Sequence, residues 1–318
     1  MNVIVTGSLG FDYIMDFPGI FSDRIMPDKI HNLSLSFLVD KLNKNFGGTA
    51  GNIAYSLKLL GIEPIILSSA GYDFSPYYKF LLAHKISTAH IKITNSIVTG
   101  SYFVVTDRED NQIGSFYIGA SKYNKNLKII NLINKKNPIN FVVIAPNHPQ
   151  AMNNYIQECI KLKLSFMFDP AFQIDNFSNI DLLKGISHAQ ILIANDYEIA
   201  LILSKLKISH EKLTSLVPIL ITTLGAKGSI IENNHKKITI KPAKPKNVSD
   251  PTGAGDAYRA GFLAGYLRGF DLNICGQMGS IAAVYTVEKY GTITHDFSIR
   301  EFVKRYKTNY KEQLNLKY

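Results

Sequence analysis

Tryptophan is absent from this 318-residue chain, and cysteine occurs only twice, at Cys159 and Cys275. Two cysteines so far apart make neither a CxxC pair nor a metal-ligand spacing, which excludes a disulfide framework and a thiolate zinc site and fits a reducing cytoplasm. Long apolar runs are also missing, since none approaches the ~20 residues that a bilayer-spanning helix needs. The apolar start, residues 1–10, lacks the basic leader and cleavage-site pattern of a signal peptide, so neither secretion nor membrane insertion is expected. Charge is sparse as well: Asp, Glu, Lys and Arg make up 19% of the residues against 46% hydrophobic ones. That is not the composition of a disordered chain, and the sequence should fold throughout.

What charge there is leans positive, with 35 Lys and Arg against 25 Asp and Glu, a net +10. The lysine-rich segments 122–136 and 236–246 carry neither interleaved aromatic residues nor an amphipathic period. A nucleic-acid groove is therefore not expected, and the diffuse positive field suits small anions equally well.

Short apolar runs alternate with stretches of helical period, the pattern of a mostly parallel sheet covered on both faces. Strands are predicted at 2–7, 64–69, 140–145, 165–169, 191–194 and 218–223, and helices at 50–60, 74–84, 150–162, 196–204 and 254–268. Nothing resembles an interdomain linker, so 1–318 reads as one domain. Two regions, 13–45 and 95–119, break the rhythm with β-prone stretches such as Ser36–Val39 and Ser101–Thr106 and with turn signals such as Asp110-Asn111. They read as antiparallel strands of a small sheet over the mouth of the larger body, either a lid or a dimerising appendage. Monomer and homodimer both stay open.

The most informative segment is Asp250-Pro251-Thr252-Gly253-Ala254-Gly255-Asp256, which runs into a helix bearing the small residues Ala257, Ala260, Gly261 and Ala264. Pro251 and Gly253 set up a turn. The free N–H groups of Gly253, Ala254, Gly255 and Asp256 can then converge on an anion at the positive end of the helix dipole. An acidic residue in a first helical turn is favoured by that dipole whatever its role. A carboxylate beside amide donors is, however, also what accepts a hydroxyl proton while transferring phosphoryl charge is held. No G-x-x-x-x-G-K-[ST] loop occurs anywhere.

Upstream, Phe46-Gly47-Gly48-Thr49-Ala50-Gly51-Asn52 leads into a helix whose Ile53, Leu57 and Leu60 face the core, while Gly48 permits close backbone approach and Asn52 offers a donor and an acceptor. The two motifs together, with Asp12 in Gly7-Ser8-Leu9-Gly10-Phe11-Asp12, resemble the paired signatures of the ribokinase-like (PfkB) carbohydrate kinases. The resemblance implies an α/β fold, a three-layer α/β/α sandwich with a mostly parallel central sheet and a small β-sheet lid. It implies that Asp256 is the base, that Gly253, Ala254 and Gly255 form the anion hole, and that Asp12, Gly48 and Asn52 hold sugar hydroxyls. Asn195 and Glu198, in an N-x-x-E element, would organise ATP phosphates and Mg²⁺, Glu198 through water. Thr223, Gly225 and Gly228, in a T-x-G-x-x-G segment, would contact ATP. The stretch 284–291 would close the adenine pocket, with Asp250 and Thr252 offering carbonyls to a monovalent cation such as K⁺.

Asp16-Phe17-Pro18-Gly19, Leu33 to Leu38 and Phe46 to Gly61 look most like the bacterial and archaeal adenosine or nucleoside kinases. Phe17, Phe37 and Phe116 would then stack on a base, with Phe172 and Gln173 reaching its edge. Ribose, fructose or a phosphosugar is the alternative acceptor, and a catalytically silent ligand sensor a third reading. The expected partners are thus a small nucleoside or sugar and ATP.

Overall fold

A computed structural model describes residues 1–26, 28, 32, 34–109, 111–134, 138–233 and 236–316. Strand β1 (Asn2–Thr6) carries Val3, Ile4 and Val5, apolar on both sides of its pleat, and such a strand belongs in a sheet covered on both faces. It is followed by β2 (Gly10–Asp16), β3 (Lys41–Gly47), helix α1 (Thr49–Leu59), β4 (Glu63–Ala70), α2 (Ser75–Ala83) and β5 (Ile91–Ile93). Strands β6 (Gly100–Thr106) and β7 (Gln112–Tyr117) precede β8 (Ile139–Ile144), α3 (Pro149–Leu162), β9 (Phe166–Phe168) and α4 (Asn179–His188). Next come β10 (Ile191–Asn195), α5 (Asp196–Leu206), α6 (His210–Leu216), β11 (Ile219–Thr223), β12 (Ser229–Asn233) and β13 (Lys236–Ile240). Helices α7 (Ala254–Tyr266), α8 (Leu272–Val287) and α9 (Ile299–Tyr310) complete the order.

Among the described residues, nine strands form the main sheet in the order β13-β12-β11-β10-β9-β8-β1-β4-β5. Its pairings from β5 to β11 are parallel, and the β11–β12 and β12–β13 pairings at the other edge are antiparallel. Alternate side chains feed two separate cores. Val3, Val5, Phe141, Val143, Ile191 and Ile193 pack with Ile53 and Leu57 of α1, Phe262 of α7, Met278 of α8 and Phe302 of α9. Ile4, Val142, Ile144, Leu192 and Leu220 pack on the other side with Ile156 of α3, Leu182 of α4 and Ile202 of α5. The expected three-layer α/β/α sandwich is thus present, and burial worth roughly 1.5–3 kcal/mol per large apolar side chain makes it a rigid mount. No helix among the described residues is long and apolar enough to cross a membrane.

The small sheet has the order β3-β2-β6-β7. It departs from the expected all-antiparallel arrangement because β2 and β6 pair in parallel, Asp12 opposite Tyr102, while β2–β3 and β6–β7 are antiparallel. Ser36–Val39 is not a strand. Phe37 is drawn instead into a ring cluster with Phe17 and Phe21, and the partner of β2 is Lys41–Gly47. Leu33 and Asp110 lie outside the described residues.

Candidate active site

Parallel sheets bind ligands beyond the carboxyl ends of their strands, and there the motifs meet. Asn195 ends β10 directly opposite Thr223 at the end of β11, Asp169 follows β9, and β2 with its Asp12 departs just after β1. The second signature enters from α7. Gly253 is its N-cap at φ 79, a left-handed conformation that strains any residue with a Cβ. The turn is fixed by Asp250, whose carboxylate accepts the N–H of Thr252 at 2.9 Å and that of Gly291 at 3.0 Å.

The amide cluster differs from expectation in one member. Ala254 donates its N–H to the Pro251 carbonyl at 3.2 Å, closing the turn. The N–H groups of Gly253, Gly255 and Asp256 have no hydrogen-bond partner among the described residues, so these three remain for an anion.

Asp256 and Asn52, 204 positions apart in sequence, are joined by a hydrogen bond from Asn52 Nδ2 to Asp256 Oδ2 at 2.8 Å. Thr292 Oγ1 donates to Asn52 Oδ1 at 2.8 Å and so orients the amide. Asn52, expected to hold substrate hydroxyls, therefore grips the candidate base, with one N–H and one lone pair left over. Burial pushes the Asp256 carboxyl above the ordinary carboxylate range, and the Arg259 guanidinium and the Asn52 amide pull it back.

Asp12 stands in a different condition. It is buried on the inner face of the small sheet, beside Gly47, where a Cβ would fall 2.0 Å from Asp12 Oδ2. Its carboxylate accepts no hydrogen bond from the described residues. Burial, followed by the charges of Asp256 and Asp250, pushes it up to about 7. A buried carboxylate with no donor is a costly arrangement that a ligand's hydroxyls would relieve. Gly48, at φ 86, caps α1 next to it.

The aromatic residues divide into two groups. Phe116 and Phe172 face each other with ring centroids 6.3 Å apart and line a cavity with Ser8, Ile118, Asn147 and Gln173. Gln173 is buried, its Oε1 accepting from Asn176 at 2.8 Å and its Nε2 without a hydrogen-bond partner among the described residues. Asn147, which no motif singled out, is buried with its Nδ2 unpartnered among the described residues. Phe17 and Phe37 do not reach this cavity. They stack with Phe21 at centroid distances of 4.9–5.9 Å, a small core of their own beside the far end of β2.

On the nucleotide side, Asn195 and Glu198 form a reciprocal cap on α5: Glu198 N–H donates to Asn195 Oδ1 at 2.7 Å and Asn195 N–H to Glu198 Oε2 at 2.8 Å. Burial raises Glu198, and Asp169 adds to the rise while the Asn195 N–H and Arg259 oppose it. Gly225 and Gly228 shape the turn after β11, closed by Leu224 N–H to Gly228 O at 2.8 Å, with open space over Gly225. Tyr290, in the stretch expected at the adenine, reaches the small sheet instead and donates to Asp16 Oδ1 at 3.2 Å. No cluster of three or more His, Cys, Asp or Glu able to hold a metal occurs among the described residues.

Proton acceptance next to amides that can hold phosphoryl charge is what transfer to a hydroxyl requires, so fold and site together define a phosphotransferase. Residues 18–298 match the pfkB family carbohydrate kinase, and the chain belongs to that family. The nucleoside kinase of Methanocaldococcus jannaschii is 33% identical over 303 residues, covering 92% of this chain and 93% of that protein. The structure of Burkholderia thailandensis nucleoside kinase in complex with inosine matches with a TM-score of 0.90 at 29% identity, covering 98% of this chain and 99% of that one. Its complex with ADP-inosine gives a TM-score of 0.88 at 30% identity, covering 98% and 97%.

Proposed function

We propose that this chain is an ATP-dependent nucleoside kinase that phosphorylates the 5′-hydroxyl, with adenosine as the favoured acceptor. The observation that carries the reading is the donor-free Asp12 carboxylate on the same face of the small sheet as Phe116, two strands away through Tyr102, where Phe116 lines a cavity with Phe172 and Gln173. A ribose diol supplies two O–H donors to a carboxylate, and a base needs an apolar wall and amide groups at its edge. Asn147 Nδ2 and Gln173 Nε2 are such groups. A phosphosugar would call for Lys or Arg at that wall, and the described residues lining it include neither. His148, also lining it, is held below the usual imidazole range by burial and by Lys125. The similar kinases named for nucleosides point the same way.

In the reaction, Asp256 takes the 5′-hydroxyl proton as the oxygen attacks the γ-phosphorus. The bond to the β-phosphate oxygen breaks, and its electron pair leaves with ADP. The free amides of Gly253, Gly255 and Asp256 face the transferring charge. Thr223, Gly225 and Gly228 hold ATP. Mg²⁺, when bound, neutralises phosphate charge; Asn195 and Glu198 would hold it through water, which suits an ion that keeps its hydration. The carbonyls of Asp250 and Thr252 accept no hydrogen bond from the described residues and would suit K⁺.

Purified protein mixed with ATP, Mg²⁺ and adenosine is expected to form ADP and the 5′-monophosphate in equal amounts, followed by ³¹P NMR. Calorimetric binding of adenosine and ATP without ADP formation would instead identify a silent sensor.

A further inference from the structure

The base helix carries a residue that no motif singled out. Helical side chains lean toward the helix N-terminus, and Arg259, one turn beyond Gly255 on α7, leans over the anion hole. A Cβ on Gly255 would fall 2.7 Å from Arg259 Nη1, so glycine at 255 leaves room for the guanidinium. The side chain is 11% exposed, and its Nε lies 2.5 Å from Oδ2 of Asp169, itself 1% exposed. Asp169 immediately precedes the segment bearing Phe172 and Gln173, so the pair ties that wall to the base helix. Nε makes an ion-pair contact with Asp169, neither terminal nitrogen has a hydrogen-bond partner among the described residues, and no guanidinium nitrogen lies within 4.0 Å of the Asp256 carboxylate. The guanidinium sits amid the charges of Asp169, Asp256 and Glu198. It is a buried, anchored cation with unused donors at the place where phosphoryl charge develops.

We propose that Arg259 is a further catalytic residue whose Nη1 and Nη2 donate to the oxygens of the transferring γ-phosphoryl group, and that Asp169 is the positioning residue that aims it. The proposal rests on the kinase reading above. No proton moves through Arg259: Asp256 takes the proton, the bond to ADP breaks, and the guanidinium matches the flattened phosphoryl oxygens, a geometry for which a planar fork is better suited than an ammonium.

Three variants test it: Arg259→Met, Arg259→Lys, and the double variant Asp169→Asn/Arg259→Met, which removes both buried charges and keeps the fold accessible if the single change leaves Asp169 stranded. For the double variant, kcat is expected to fall roughly 10²–10³-fold, the loss seen when one donor to a developing oxyanion is removed. Calorimetric nucleoside affinity should stay within about twofold, the lysine variant should recover only part of the rate, and added guanidinium should restore some turnover to the Met variants. A folded double variant with wild-type kcat would overturn the proposal, because Arg259 would then serve only to neutralise Asp169. If the wild type prefers a sugar, the nucleoside reading fails while the same fold-changes, measured with that sugar, still decide the role of Arg259. A wild type that turns over no acceptor ends both.

Discussion

Replacing Asp256 by Asn lowers kcat by roughly 10²–10⁴, the usual worth of a positioned general base, and leaves the fold intact. The substitution keeps size and shape, and an amide oxygen at 256 can still accept from Asn52 Nδ2, which now binds it at 2.8 Å. It also removes the charge nearest in effect to Asp12, where Asp256 follows burial as a cause of the raised carboxyl. Nucleoside binding should therefore survive or tighten while turnover collapses. Steady-state rates set beside calorimetric affinities check this split. Near-wild-type turnover in the variant would remove Asp256 from proton transfer, and loss of binding together with rate would make it a structural residue.

Asp12→Asn carries the second large effect, and it acts in opposite directions on activity and on stability. Asparagine at 12 keeps one acceptor oxygen but loses the other and the charge, so of two hydrogen bonds worth about 1.5–3 kcal/mol each to a carboxylate one is lost and one weakened, and kcat/KM should drop by roughly 10²–10³. The same carboxyl strains the protein when no ligand is bound. Its value rises from 3.8 to about 7 on folding, so the folded state holds the proton more tightly than the unfolded chain does. The associated stability is fully present below about pH 4 and is lost as pH rises through about 7. At about 1.4 kcal/mol per tenfold change in proton affinity, ionised Asp12 costs on the order of 4 kcal/mol at pH 8. Asp12→Asn should accordingly raise the Tm of the ligand-free protein at pH 8 and much less at pH 4, while the wild type's kcat/KM climbs with pH through about 7. Equal Tm differences at both pH values would show that Asp12 is not under this strain.

Much of this was written locally in the chain. Gly253 to Asp256 and Phe46 to Asn52 are contiguous motifs whose backbone demands can be read residue by residue, and the two-sided apolar runs of β1, β8, β10 and β11 announced a covered sheet. Long-range pairing was not legible. Nothing in sequence says that Asn52 would hold Asp256 or that Arg259 would find Asp169, 90 positions away, because such pairs are set by how strands and helices stack. The parallel pairing of β2 with β6 was hidden for the same reason. Helix α8 lacked an amphipathic period because Cys275, Met278, Ile281 and Val284 are buried alongside Gly276, Gln277 and Ser280. Helix α9, in contrast, carried a readable signal, the cap formed by Ser298 and Glu301. The lysine-rich start of segment 236–246 hid β13, although an edge strand tolerates lysine. Phe17 and Phe37 were aromatic residues near a ligand motif, and sequence offers no way to tell a ring that stacks on a base from one that stacks on its neighbours.

The central claim concerns the acceptor, and one competition experiment tests it most directly: kcat/KM for adenosine, inosine, cytidine, ribose and fructose 6-phosphate, measured with the same enzyme and ATP. The site predicts that a purine nucleoside, adenosine first, exceeds ribose and fructose 6-phosphate by at least about 10²-fold, the discrimination expected when a base fills an apolar, amide-edged pocket that a bare sugar leaves empty. Ribose or fructose 6-phosphate turned over faster than every nucleoside would contradict it.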